Sequence, residues 1–191
     1  MDVKGSHLIK TICMEGLRRV GDPVERAYRY YREGIDEIFF WDAVASLYQR
    51  NHLTDLLTSV SDAVFVPIIA GGGVRTVEDA AVLFRSGADK VSVNTAAISD
   101  PSLLERLVDR FGSQAIVLAI DAKKSPVDGW QAYVDGGREP TGLDVIDWIE
   151  HASCMGFGEI LLTSVDLEGS RSGFDTALIN KVSERSRAPI L

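Results

Sequence analysis

Cysteine is scarce in this chain. Cys13 and Cys154 are the only two among 191 residues, and neither stands in a CxxC or other ligand-spaced cluster. That excludes a disulfide framework and a cysteine-built metal site, and leaves two reduced structural thiols. Histidine is almost as sparse: His7, His52 and His151 form no HxxH or HExxH pattern, so neither a metal nor any other cofactor is expected. Positive charge is also in deficit. Lys and Arg number 20 against 28 Asp and Glu, a net charge of −8, which argues against nucleic acid or an anionic membrane as partner but leaves room for local phosphate sites. No apolar run approaches a membrane span and no signal-peptide pattern opens the chain, so a cytoplasmic location is expected. The remaining composition, 46% hydrophobic and 25% charged, is that of an ordinary globular protein, read here as a single domain over 1–191.

What the chain does have is a repeat. Gly34–Trp41, Gly-Ile-Asp-Glu-Ile-Phe-Phe-Trp, returns at Gly156–Thr163 as Gly-Phe-Gly-Glu-Ile-Leu-Leu-Thr, so Glu159 follows Glu37 by 122 residues. Val66–Ile69 returns as Ala188–Leu191 at the same spacing, with Pro67 matched to Pro189. A duplicated unit of alternating strands and helices points to two half-barrels, residues 1–111 and 112–191, joined in a (β/α)8 barrel. The first half continues after Ile69 into Ala70-Gly71-Gly72-Gly73, whereas the second reaches Leu191 with no counterpart. Asp2 follows Met1, while the related Asp121 follows the apolar run Ala115–Ile120. The expectation is therefore an incomplete barrel, lacking most of strand one and strands seven and eight, since such barrels take about 250 residues.

Periodicity predicts helices at 23–33, 53–60, 77–86, 101–111, 142–155 and 176–186. It predicts strands at 37–41, 64–69, 90–93, 115–120 and 159–163, with a short excursion at 130–134. Such alternation makes a parallel sheet covered on both faces. Asp22-Pro23 and Asp100-Pro101 read as N-caps followed by proline, and Gly34, Gly87, Gly112 and Gly156 as helix ends.

Barrel chemistry sits where strands end. Asp2 is expected to end strand one, Asp42 strand two and Asp121 strand five, with Gly71–Gly73, Asn94-Thr95 and Ser164–Gly169 following strands three, four and six. Asp2 and Asp121, at related positions in the two halves, are expected to face one another across the mouth. Paired carboxylates can be driven to different pKa values, one giving a proton while the other takes it; the alternative is that each merely caps the next segment. The glycine loop and Asn94-Thr95 supply N–H groups and a hydroxyl suited to a phosphate. Duplication implies a second such site, hence a ligand phosphorylated at both ends. Glu37 and Lys90 at strand starts favour a polar ring over exposed strand ends, because a barrel core excludes unpaired charge.

Asp2–Lys4, Gly21–Glu25, Gly71–Val74, Gly87–Ala97, Phe111–Ala115, Ala119–Lys123, Gly158–Ser164 and Ser172–Asp175 together resemble the cyclase subunit family of imidazole glycerol phosphate synthase, of histidine biosynthesis. The resemblance runs over essentially the whole chain. It implies a lyase that takes a bis-phosphorylated ribulosyl aminoimidazole carboxamide nucleotide and ammonia, and yields imidazole glycerol phosphate and an aminoimidazole carboxamide ribotide. Asp2 and Asp121 would be its general acid/base pair. Lys10, Gly72, Gly73, Asn94, Thr95, Glu168 and Gly169 would bind the phosphorylated substrate. Ammonia would come from a glutaminase subunit docked on the N-terminal face, in a heterodimer, and pass charged gate residues that Glu37, Lys90 and Glu159 match. No cofactor or metal is implied.

Three stretches, His7–Val20, Ala45–Asn51 and Gly136–Asp144, look more like a paralogous branch associated with amidation of surface-polysaccharide sugars. Glu168 stands where the histidine-pathway enzyme usually has aspartate. That paralog is the alternative activity, and an inactive barrel fragment the alternative to an enzyme.

Overall fold

Local signals set most element boundaries. In the computed structural model, which describes residues 1–45 and 53–191, Asp22 accepts the Glu25 amide at 2.9 Å and opens α1 (Pro23–Arg32) with proline at its first position. Two β-strands then frame α2: β4 (Ile38–Asp42) precedes α2 (Leu53–Ser61), and β5 (Ile68–Gly71) follows it. Of the stretch Ala45–Asn51, only Ala45 lies among the described residues. Thr76 and Asp79 form a reciprocal capping box at α3 (Val77–Arg85), which leads to β6 (Lys90–Val93). The short α4 (Thr95–Ser99) and α5 (Ser102–Phe111) precede β7 (Ile116–Lys124), β8 (Trp130–Val134) and β9 (Glu139–Asp144). Asp144 caps α6 (Val145–Ser153), followed by β10 (Glu159–Ser164) and α7 (Thr176–Ser183). The result is an α/β fold with mostly parallel strands and, among the described residues, seven helices.

The chain divides into two compact units, Met1–Lys10 with Leu17–Ser92, and Thr11–Gly16 with Val93–Leu191. In the first, β1 (Asp2–Lys4), β4, β5 and β6 are parallel neighbours, and β2 (His7–Ile12) folds back antiparallel on β1 with β3 (Glu15–Gly21) outside it. Phe40, Ile68, Ile69, Val91, Leu57 and Leu83 are buried there. In the second, β10 lies parallel to β7, and β8 and β9 continue antiparallel from β7. Ile116, Leu118, Ile120, Leu104, Leu107, Ile149 and Leu178 form its core. Each such side chain contributes about 1.5–3 kcal/mol.

The repeat seen in the sequence is also a repeat of hydrogen bonds. Ile38 donates to the Pro67 carbonyl at 3.0 Å, and Ile160, 122 residues on, donates to Pro189 at 2.8 Å. The register Ile38↔Ile68 returns as Ile160↔Ile190. Asp144 caps its helix 122 residues after Asp22. Asp2 pairs with Trp41, and Asp121 pairs with Thr163, again 122 residues after Trp41.

Several expectations need correction. Strand one does not end at Asp2 nor strand five at Asp121: pairing continues to Lys4 and Lys124, because each strand is extended by an antiparallel hairpin. The β2–β3 hairpin breaks the pure alternation expected, and its turn, Cys13-Met14, lacks the Asn-Gly signal that marks such turns. The third strand begins after Pro67 rather than at Val64, since proline offers no N–H to the ladder. The helix expected from Gly142 starts at Val145, because Glu139–Asp144 pairs with β8. The helix expected from Pro101 starts at Ser102, and Asp100 takes the Ser102 backbone amide together with Ser102 Oγ at 2.6 Å and Arg106 at 2.9 Å. Pairing at the seventh strand position, expected to be absent, is present: Leu191 donates to Ile160 at 2.8 Å, and Leu162 to Leu191 at 3.1 Å.

The two matched caps give a graded prediction. Asp144 accepts both Ile146 and Asp147 amides, at 2.7 and 3.2 Å, whereas Asp22 accepts Glu25 alone. Asp144→Ala is expected to cost about 2 kcal/mol and Asp22→Ala about 1 kcal/mol in urea unfolding; equal losses would contradict the geometry.

Candidate active site

Asp121 sits in mid-strand among the aliphatic residues of β7 and is 8% exposed. Burial in that apolar setting pushes its carboxyl up to about 7; the Asn94 side chain, the Gly137 amide and the Lys123 charge act in the opposite direction without overcoming it. Asn94, directly after β6, donates from Nδ2 to Asp121 Oδ2 at 3.0 Å and to the Tyr133 carbonyl at 3.2 Å. Thr95 Oγ1 accepts the Asp135 amide at 3.1 Å. Lys123 places Nζ over the Tyr133 ring, 4.7 Å from its centre. The structure thus brings Asn94, Thr95 and Asp121 together with the β8 hairpin, and sets the Asn94 amide on the carboxylate.

Also in the second unit, Glu168 and Gly169 lie in the loop after β10. Glu168 Oε2 accepts Thr11 Oγ1 at 3.0 Å and the Met14 amide at 3.2 Å. Asp175 in the same loop region takes Trp130 Nε1, Ser164 Oγ and the Leu178 amide, each at 3.1 Å, tying β8, β10 and α7. Glu159 opens β10, in register with Val117.

In the first unit, Asp2 pairs with Trp41 and Ile9 on either side of β1, and Lys10 is exposed on β2. Gly72 and Gly73 turn the chain after β5 with φ of +93° and +75°. A Cβ on Gly72 would stand 2.5 Å from the Asp42 carbonyl oxygen, and one on Gly73 2.6 Å from Ala45 Cβ. Glycine is required at both by conformation and by space. Glu37 Oε1 and Lys90 Nζ form an ion pair at 2.6 Å, each side chain 19% exposed, at the starts of β4 and β6. A pair so placed costs desolvation, so it marks a polar position inside the strand-start layer.

Among the described residues, no group of three or more His, Cys, Asp and Glu side chains could share a metal ion, and no helix is long and apolar enough to cross a membrane. Sequence reasoning did not single out Lys123, Tyr133, Thr11, Met14 or Asp175. His7–Ile12 does not alternate with period two, since Leu8-Ile9 and Lys10-Thr11 are like pairs, so the hairpin that brings Thr11 and Met14 in left only a weak signal in its β-branched Ile9, Thr11 and Ile12.

A family model described as histidine biosynthesis protein matches residues 1–191. The chain is 49% identical over its whole length to the imidazole glycerol phosphate synthase subunit HisF of Legionella pneumophila, covering 90% of that protein. It is 47% identical to the subunit of the same name from Myxococcus xanthus and 46% identical to one from Dehalococcoides mccartyi, in each case over all of this chain and 75% of the relative.

Proposed function

This chain belongs to the family of histidine biosynthesis proteins, and on that premise we propose that it is the cyclase subunit of an imidazole glycerol phosphate synthase, a lyase of histidine biosynthesis. In this reading it joins ammonia to a bis-phosphorylated ribulosyl aminoimidazole carboxamide nucleotide, and releases imidazole glycerol phosphate and an aminoimidazole carboxamide ribotide. The fold is read as belonging to the (β/α)8 barrel type built of two half-barrels, 1–111 and 112–191, with β1, β4, β5, β6, β7 and β10 and the bridge at Ile190 as seven of its strand positions.

The observation that carries this reading is the matched setting of the two aspartates. Each is bonded in register to residues 122 apart, each is followed by an antiparallel hairpin, and one has its carboxyl raised to about 7. Asp121, holding a proton on a large share of molecules at neutral pH, acts as the general acid; Asp2 acts as the base. Lys10, Gly72, Gly73, Asn94, Thr95 and the Glu168-Gly169 loop hold the phosphorylated substrate. Glu37, Lys90 and Glu159 serve the passage of ammonia, delivered by a glutaminase subunit in a heterodimer. A cytoplasmic location goes with this chemistry.

The test is turnover of the bis-phosphorylated nucleotide with ammonium supplied directly, so that no glutaminase is needed. Imidazole glycerol phosphate is the expected product, and Asp2→Asn should lower turnover by about 10²-fold or more. A folded protein that makes no product would overturn the reading, and the sugar-amidation activity would then be the one to assay.

A further inference from the structure

The turn between β2 and β3 is made by two non-glycine residues in left-handed backbone, Cys13 at φ +50° and Met14 at φ +62°. Side chains disfavour this conformation, and hairpin turns of this kind ordinarily place Asn-Gly there. Something must hold the tip, and the structure shows what does. The Cys13 amide donates to the Glu168 carbonyl at 2.8 Å and the Met14 amide to Glu168 Oε2 at 3.2 Å. Thr11, 2% exposed, donates its hydroxyl to the same Oε2 at 3.0 Å. Cys13 Sγ adds a contact to the Asp166 carbonyl at 3.4 Å. A Cβ on Gly169, whose φ is +68°, would collide with the Thr11 carbonyl oxygen, so glycine is what lets the loop come this close.

We propose that Glu168 contributes to the substrate-holding loop described above as a latch on the β2–β3 tip, a positioning residue that acts through the tip and does not itself touch the substrate. Lys10 immediately precedes Thr11 in β2, so the order of the tip sets the order of that lysine. The identity of the residue fits the task. One Glu168 oxygen serves two donors three residues apart, and an aspartate would withdraw it by about 1.5 Å, one carbon–carbon bond. The catalytic part of this inference rests on the cyclase reading; the latch itself does not.

Amide hydrogen exchange of residues 11–16 in the substrate-free protein tests it. Glu168→Ala is expected to speed exchange at Cys13 and Met14 by about tenfold or more, and Glu168→Asp by a smaller factor. Glu168→Gln keeps an acceptor oxygen at the same reach and should stay within about threefold of the parent. Thr11→Val, which removes one hydroxyl at constant shape, should speed exchange several-fold, and it carries the test if Glu168→Ala fails to fold. Unchanged exchange in Glu168→Ala or in Thr11→Val overturns the latch. In turnover, KM should rise across the four variants in the order of their exchange rates, with kcat changing less. A rise in KM for Glu168→Gln without faster exchange would make Glu168 a substrate ligand and overturn the positioning role. A parent protein without turnover would count against the cyclase reading while leaving the exchange result to decide the latch.

Discussion

Asp121→Asn is expected to lower ammonia-dependent turnover by about 10³-fold while making the protein more stable above neutral pH. On the function proposed above, the first effect follows from the loss of the proton that Asp121 would donate as general acid, a contribution of about 10²–10⁴. The second follows from why the carboxyl is raised. Asp121 is buried among the β7 aliphatics, and its carboxyl is held at about 7 against an ordinary 3.8. Between these values the folded chain keeps a proton that the unfolded chain has released, so the stability slope with pH is negative across the window. The protein is favoured with Asp121 neutral, below about pH 4, and loses up to about 4 kcal/mol as the pH rises through 7.

An asparagine has the same shape and no charge to bury, so the variant lacks this dependence. Urea unfolding at pH 5 and pH 8 should show the variant gaining about 2–3 kcal/mol on the parent between the two conditions. A gap that does not move with pH would mean that the carboxyl ionises in the fold without cost. Turnover supplies an independent check. In the parent kcat/KM should fall as the pH rises through 7, where the acid loses its proton, and the residual rate of the variant should show no such limb.

Gly72→Ala is expected to cost about 3 kcal/mol and to lower the melting temperature by about 10 °C. Two costs combine there: left-handed backbone at φ +93°, and a methyl group placed 2.5 Å from the Asp42 carbonyl oxygen. Gly34 separates them. Its φ is +85°, yet a Cβ there meets nothing within 4 Å, so Gly34→Ala should cost about 1 kcal/mol, the backbone contribution alone. Equal losses at the two positions would show that the close approach of the β4 and β5 loops relaxes without penalty. In the proposed function Gly72 holds substrate phosphate, and on that reading Gly72→Ala should also raise KM for the bis-phosphorylated nucleotide while Gly34→Ala should not.

The sequence was most informative where the relevant physics is short-range. Asp22-Pro23 announced a helix start because capping is settled within three residues, and the helices at 77–85 and 102–111 were legible from their amphipathic period. The 122-residue repeat was legible because a repeated residue string needs no structure to be seen, and the shared registers Ile38↔Ile68 and Ile160↔Ile190 then gave it a physical basis. Strand starts were less legible: at Val64-Phe65-Val66 the apolar run is continuous, and the pairing begins only past Pro67. At Asp100-Pro101 the local signal gives only part of the arrangement, since the carboxylate takes the Ser102 backbone amide and is also engaged by Ser102 Oγ and by Arg106 six residues on.

By itself the sequence determined the alternation of strands and helices, the duplication, and the residue types offered at each strand exit, because period and spacing are properties of a line of residues. Tertiary structure alone decided which of those groups act on one another. The sequence marks Asp121 only as a carboxylate at a strand exit, and its carboxyl is held near 7 through burial beside Asn94 and Gly137, residues brought in from directly after β6 and from the turn after β8. Glu168 reads as one acidic residue in a loop, and becomes a latch because Thr11 and Met14, more than 150 positions away, present their donors to a single oxygen. Desolvation and hydrogen bonding depend on neighbours in space, and a strained turn such as Cys13-Met14 persists only where such neighbours hold it.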